Sequence, residues 1–225
     1  MTENAENGKL SVVATPIGNL EDITLRALRI LREADVIYAE DTRVTSKLLA
    51  RYEIKKSLQR LDAATETKKA NEIIARIERG EKVALVSDAG TPAVSDPGAR
   101  LVNLVREAGA NIETIPGASA LTAAISISGL PLEHFLFLGF LPHKKGRQTA
   151  IKKIASSEVP VVLYESTHRI IKLLSELEQA VPQANVTIAR ELTKLHEEVI
   201  SGTPLTLLER LKKGEIRGEF VVIIS

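Results

Sequence analysis

Short apolar runs rich in β-branched residues alternate along most of this chain with longer stretches whose apolar positions recur every three or four residues. The first pattern is what a strand covered on both faces requires, and the second is the stripe of an amphipathic helix. Strands are predicted at Leu10 to Ala14, Val36 to Ala39, Lys82 to Ser87, Asn111 to Ile115, Phe135 to Phe140, Val159 to Tyr164, Asn185 to Ala189, Glu197 to Ser201 and Glu219 to Ile224. Between them Ala70, Ile73, Ile74 and Ile77 share a helical face ahead of Gly80, and Leu101, Leu104, Val105 and Ala108 share one ahead of Gly109. Asp22 is placed to cap a helix carrying Leu25, Leu28 and Leu31.

This alternation predicts an α/β protein built on mostly parallel sheet. The first four strands form one half that closes near Pro116-Gly117, whereas the last two strands demand a mixed or partly antiparallel sheet in the second half. Gly129 and Pro131 mark a junction in the stretch 125–134, so two α/β domains are expected, 1–125 and 126–225, without internal repeats or low-complexity tracts.

Composition narrows the chemistry. The 225 residues are 44% hydrophobic and 26% charged, which is globular rather than disordered or fibrous. There is no Cys, hence no disulfide, thiolate metal site or Cys nucleophile, and His134, His143, His168 and His196 lack metal-ligand spacing, so no metal is expected. With no Trp, three Tyr and four Phe there is little material for an RNA platform of stacked aromatics. The polar, acidic start does not resemble a leader, and no run approaches the roughly 18 apolar residues of a membrane span, so the cytoplasm is the expected compartment. A net charge of +1 leaves room for a local basic patch: residues 143–153 contain Lys144, Lys145, Arg147, Lys152 and Lys153 and no acid. Such a run is either an RNA phosphate contact or a solvated helix face.

Ligands of parallel sheets bind beyond the C-terminal strand ends. The loops there are Thr15 to Asn19, Glu40 to Arg43, Ser87 to Pro92 and Pro116 to Ala120, all rich in small or turn-forming residues. In the third, Gly90 permits close ligand approach, and Asp96 and Pro97 fit the N-cap and first position of a following helix. Dinucleotide, P-loop and nucleophile-elbow fingerprints are absent.

Six segments carry a resemblance: Ala14 to Thr24, Glu40-Asp41-Thr42-Arg43, Ser87 to Gly98, Gly139-Phe140-Leu141-Pro142 with Lys144-Lys145-Gly146-Arg147, Tyr164 to Arg169, and Arg190-Glu191-Leu192-Thr193-Lys194. Together and in this order they resemble the ribosomal RNA small subunit methyltransferase I family of the tetrapyrrole methylase superfamily. The resemblance implies a two-domain α/β fold, with a mostly parallel N-terminal sheet, a mixed C-terminal sheet and S-adenosylmethionine in the cleft between domains. It also implies a homodimer, and 2'-O-methylation of a cytidine ribose in the decoding region of 16S ribosomal RNA, free or within the small subunit.

The superfamily's cofactor loop usually reads Gly-Asp-Pro, and here it stands as Gly90-Thr91-Pro92. By the same matching Ile17, Gly90, Thr91, Val94, Ser119, Ala120, Tyr164 and Ala189 line the cofactor site, although Ile17, Val94, Ala120 and Ala189 also read as packing residues. Methyl transfer to a hydroxyl calls for a base, for which Asp88 or Asp96 is the candidate, and Arg43 is assigned to phosphate, with a local salt bridge as its other reading. Lys144, Lys145 and Arg147 are assigned to RNA. Two other functions fit parts of the pattern: C-methylation of a corrin or porphyrin precursor, and non-catalytic ribosome binding. Family members commonly continue past the last strand into a small helical region, whereas this sequence stops at Ser225, which bears on RNA grip more than on cofactor binding.

Overall fold

The computed structural model describes residues 8–214 and 216–225; residues 1–7, on which the expectation about the N-terminal segment rests, lie outside them. The chain divides into two compact units, one ending at Ser119 and the other spanning Ala120–Ser225. The divide falls ahead of the 125–134 stretch, because the helix Ala120–Ile127 packs on a strand of the second unit.

The first unit runs β1 (Lys9–Val13), α1 (Leu25–Glu33), β2 (Val36–Ala39), α2 (Thr42–Arg51), β3 (Ser57–Arg60), α3 (Glu66–Glu78), β4 (Lys82–Val86), α4 (Ala99–Glu107) and β5 (Asn111–Ile115). Its five strands are all parallel, in the order β3-β2-β4-β1-β5. Alternation along the strands sorts the core into two layers. Val13, Ile37, Ala39, Ala84 and Val86 pack under α1 and α2, while Leu10, Val36, Tyr38, Val83 and Leu85 pack under α3 and α4. The chain therefore leaves β1 toward one face and the adjacent β4 toward the other. That divergence makes the gap beyond their C-terminal ends the topological switch point where ligands of such sheets bind.

β3 is not foreseen by the hydrophobic pattern. Ser57–Arg60 reads SLQR and lies at the sheet edge, where one neighbour and little burial suffice. Gly80 and Gly109 end α3 and α4 as expected, both in the left-handed region at φ 88° and 71°. Two caps differ from expectation. Thr24, not Asp22, caps α1 through the Ala27 N–H at 3.0 Å, because residues 20–22 form a separate 3-10 turn. The early turn also leaves Leu25 86% exposed. α4 begins at Ala99 with Gly98 (φ 128°) at its N-cap, so Asp96 and Pro97 stay in the preceding loop. The capping acceptor comes from α3 instead: buried Glu66 accepts the N–H groups of Gly98 (3.0 Å) and Leu101 (2.7 Å) through Oε1. A carboxylate there also meets the positive end of the helix dipole.

The second unit runs α5 (Ala120–Ile127), β6 (Leu136–Phe140), α6 (Arg147–Ala155), β7 (Val161–Ser166), α7 (Ile170–Ala180), β8 (Val186–Arg190), β9 (Glu198–Gly202), α8 (Pro204–Lys212) and β10 (Glu219–Ile224). Its sheet is mixed, as the sequence predicts, in the order β6-β7-β10-β8-β9 with β6 and β7 parallel and the other pairs antiparallel. One face packs on α6, α7 and α8 through Ile151, Leu173, Leu177, Leu207 and Leu211. Among the described residues no helix is long and apolar enough to cross a membrane.

Candidate functional site

In the first unit the loops after β1, β4 and β5 are knitted together at the switch point. Thr15 and Gly90 exchange both backbone hydrogen bonds, at 2.9 and 3.0 Å. The Thr15 hydroxyl, itself buried, donates to the Ser87 carbonyl at 3.2 Å, and the Thr91 hydroxyl donates to the Ala118 carbonyl at 3.3 Å. Gly90 has φ +75°, and a Cβ there would stand 3.3 Å from Ile17 Cγ2 and 3.7 Å from the Ala118 carbonyl oxygen. A side chain would thus be strained and would fill the space that Ile17 and Ala118 border. The same loop holds Ala93 (φ 67°) and Ser95 (φ 68°) in the left-handed region. Non-glycine residues persist there only where the surroundings over-determine them, and such residues concentrate at functional loops.

Beside this cradle lies a group of carboxylates at the ends of β2 and β4. Asp41 caps α2, its Oδ1 accepting the Arg43 N–H at 2.9 Å. Asp88 accepts the Asp41 N–H at 2.9 Å, which ties the β4 loop to the β2 loop. Half-buried Glu40 has its carboxyl raised above the ordinary range, first by desolvation and then by the charges of Asp88 and Asp96. Asp41 moves the other way, to about 2, because the Arg43 guanidinium hydrogen bonds to it. Arg43 is 86% exposed and grips Asp41 with Nε at 3.0 Å and Nη2 at 2.5 Å, which is the local salt bridge its position allows.

In the second unit the candidate positions cluster on two strand ends. Tyr164 packs edge-on to Phe137, with ring centroids 5.1 Å apart, and tilted to Phe140 at 5.5 Å. Ala189 is buried within β8, paired with Val221 on one side and Val199 on the other. Beyond β8, Glu191 (φ 49°) and Thr193 (φ 66°) bend the loop, and Lys194, 2.8 Å away, holds the Glu191 carboxyl below its usual range.

The basic segment divides. Lys144 and Lys145 are exposed on the loop between β6 and α6, as an RNA contact would need. Arg147 is not: its side chain is only 3% exposed, with Nη2 at 2.7 Å from Glu176 Oε2 and Nη1 at 3.6 Å from Glu165 Oε2. Its assignment to RNA is therefore corrected, because a guanidinium enclosed by two carboxylates in the interior cannot reach a phosphate outside. Nothing in the local sequence reveals this, since both partners lie on other elements.

Of the sequence-derived positions, the structure brings Ile17, Gly90 and Thr91 together with the 116–119 loop, leaves the charges of Asp88 and Asp96 acting on Glu40, and leaves Val94 38% exposed on the rim of the β4 loop. Ser119 and Ala120 are half-buried at the start of α5. The sequence alone singled out neither Glu66, Glu40 nor the Arg147 partners. Only Glu40 had a readable signal, as the first residue after a strand.

The sequence and the fold both have relatives among known proteins. Residues 9–207 match the family described as Tetrapyrrole (Corrin/Porphyrin) Methylases. The chain is 44% identical to a ribosomal RNA small subunit methyltransferase I of Thermotoga maritima, over 97% of this chain and 98% of that one. It is also 44% identical to the protein of that name from Escherichia coli O157:H7, over 99% of this chain and 80% of that one. Among solved structures, a cobalt precorrin-4 methyltransferase of cobalamin biosynthesis superposes with a TM-score of 0.75 at 18% identity, covering 100% of this chain and 98% of that chain. A diphthine synthase superposes at 0.70 with 21% identity, covering 96% and 89%. The structural likenesses speak to the fold, while the sequence identities reach across nearly the whole chain: it belongs to the ribosomal RNA small subunit methyltransferase I family of the tetrapyrrole methylases.

Proposed function

We propose that this chain transfers a methyl group from S-adenosylmethionine to the 2'-hydroxyl of a cytidine ribose in the decoding region of 16S ribosomal RNA. The observation that carries this is the 44% identity to the Thermotoga maritima methyltransferase over almost the full length of both chains.

The residues of the first unit suit a small polar ligand with a purine and an amino-acid end. Gly90 leaves its main chain approachable beside Ile17 and Ala118, Thr91 next to it bonds the Ala118 carbonyl, and Val94 and Ser119 follow on the same two loops. Ala120, Tyr164 and Ala189 complete the proposed cofactor set, as the family resemblance implies. S-adenosylmethionine, when bound, supplies a methyl group on a positively charged sulfur, open to in-line attack by an oxygen. The chain's own part is then to orient the ribose hydroxyl and exclude water. Asp88 or Asp96 accepts the hydroxyl proton, and the nearby carboxylates favour a cationic donor over a neutral one. Arg43 exchanges Asp41 for an RNA phosphate, and Lys144 and Lys145 add two further phosphate contacts. The protein acts in the cytoplasm as a homodimer.

Labelled methyl transfer from S-adenosylmethionine to small ribosomal subunits, naked 16S RNA and a porphyrin precursor, run in parallel, tests the proposal. Label in the subunit or RNA arm, mapped to a ribose, is expected. Label in the precursor arm alone would replace it with carbon methylation, and no cofactor uptake by calorimetry would leave only ribosome binding. Sedimentation of the purified chain tests the dimer.

A further inference from the structure

The second unit encloses four charges that the proposed chemistry does not use. Glu165, at the end of β7 and 1% exposed, lies between two guanidinium groups. Arg169 Nε is 2.7 Å from its Oε1, and Arg147 Nη1 is 3.6 Å from its Oε2. Glu176 on α7 closes the cluster, 2.7 Å from Arg147 Nη2. Two carboxylates and two guanidiniums leave it neutral. A buried cluster of this kind adds little stability over apolar packing of the same volume, so its yield is geometry.

That geometry is spent on one segment. Arg169 Nη1 donates to the Leu141 carbonyl at 2.8 Å, and Arg147 Nη1 donates to the Pro142 carbonyl at 3.4 Å. The Arg147 N–H donates to the Lys144 carbonyl at 3.2 Å, closing a turn that enters α6 through Gly146 at φ 88°. Arg169 also lies over the Phe140 ring, 5.7 Å from its centroid. The loop 143–146 is thus held at both ends by the same buried cluster, with Lys144 and Lys145 exposed on top.

We propose that Arg147 and Arg169, bridged by Glu165, are positioning residues that mount the Lys144-Lys145 turn in the geometry that engages RNA phosphates. This rests on the function proposed above. A mounted turn loses less freedom when it binds than a floppy one, so the cluster acts on RNA affinity without touching RNA.

The test is a double-mutant cycle read as binding to labelled 16S RNA across a salt series. Lys144→Gln/Lys145→Gln is expected to lower the log–log salt slope by about 1.4 to 1.8, two phosphate contacts' worth. Arg147→Lys keeps the charge and loses the fork. It is expected to weaken RNA binding and flatten the slope in the same direction, while S-adenosylmethionine affinity by calorimetry is unchanged. Combined with the lysine changes it should add less than a further twofold loss. Full multiplication of the two losses, or unaltered RNA binding by Arg147→Lys, overturns the proposal, since a merely structural role would not be coupled to the lysines. Should Arg147→Lys fail to fold, Arg169→Gln, on the more accessible arm and anchoring Leu141, is put through the same cycle with the same two outcomes. If the wild-type chain shows no salt-dependent binding to 16S RNA, the RNA function itself fails rather than the mount.

Discussion

Thr15 and Gly90, in the loops that follow the adjacent parallel strands β1 and β4, close an antiparallel bridge beyond the sheet by exchanging backbone hydrogen bonds at 2.9 and 3.0 Å. The bridge fixes Gly90 at φ +75° with Ile17 beside it. Gly90→Ala is expected to cost about 1 to 2 kcal/mol of stability through the left-handed backbone. The added methyl, 3.3 Å from Ile17 Cγ2, is expected to weaken S-adenosylmethionine binding about tenfold or more, which is 1.4 kcal/mol or more. Calorimetry alongside urea melts separates the two effects. Cofactor affinity equal to wild type would remove Gly90 from the cradle.

Glu66 should matter to stability far more than a surface glutamate. Glu66→Leu strands the Gly98 and Leu101 N–H groups, each at about 1 to 3 kcal/mol. Glu66→Gln keeps an acceptor and loses mainly the charge at the helix end, about 0.3 to 1 kcal/mol. Urea denaturation is expected to rank them in that order, and equal losses would show that the capping bonds contribute nothing.

Asp41 is expected to titrate at about 2 by carboxyl NMR, against an ordinary 3.8, and to return toward 3.8 in Arg43→Ala. The native state then binds fewer protons than the unfolded chain between those values. Its contribution to stability is accordingly complete above about pH 4 and fades as the pH falls toward 2. An Asp41 midpoint unmoved by Arg43→Ala would mean that the pair does not form in solution.

For the proposed base, Asp88→Ala/Asp96→Ala is expected to reduce single-turnover methylation by about 10² to 10⁴-fold with S-adenosylmethionine binding retained. Single-turnover transfer to small subunits measures it. Retention of rate by the double variant would send the search to Glu40, whose carboxyl is raised by burial and by the charges of both.

How much of this the sequence announced depends on where the cause lies. β2 and β4, covered on both faces, declare themselves as apolar runs because their environment is uniform. β3 does not, since an edge strand with polar SLQR satisfies its backbone from one side only. The loop of Gly90 and Thr91 is legible as a tight turn after a strand, because small residues there announce it, while its bonds to Thr15 and Ala118 come from distant segments. The α4 cap was misplaced onto Asp96 since the true acceptor, Glu66, arrives from another helix. Arg147 misled for the same reason: its charge is visible in the chain, while Glu176 and Glu165, which neutralise it, meet it only in the folded unit.

β10 follows all the other strands in chain order yet sits in the middle of its sheet, with β7 on one side and β8 on the other. The first unit, whose five strands are complete by Ile115, can assemble while the polypeptide is still emerging during synthesis. The second cannot. Until Glu219–Ile224 has left the exit tunnel, β7 and β8 each expose an unpaired edge, and Phe220, Val222 and Ile224 are missing from beneath the helices. A nascent chain stalled short of that strand would therefore carry one finished domain and one sticky, half-built sheet, the form most in need of a chaperone.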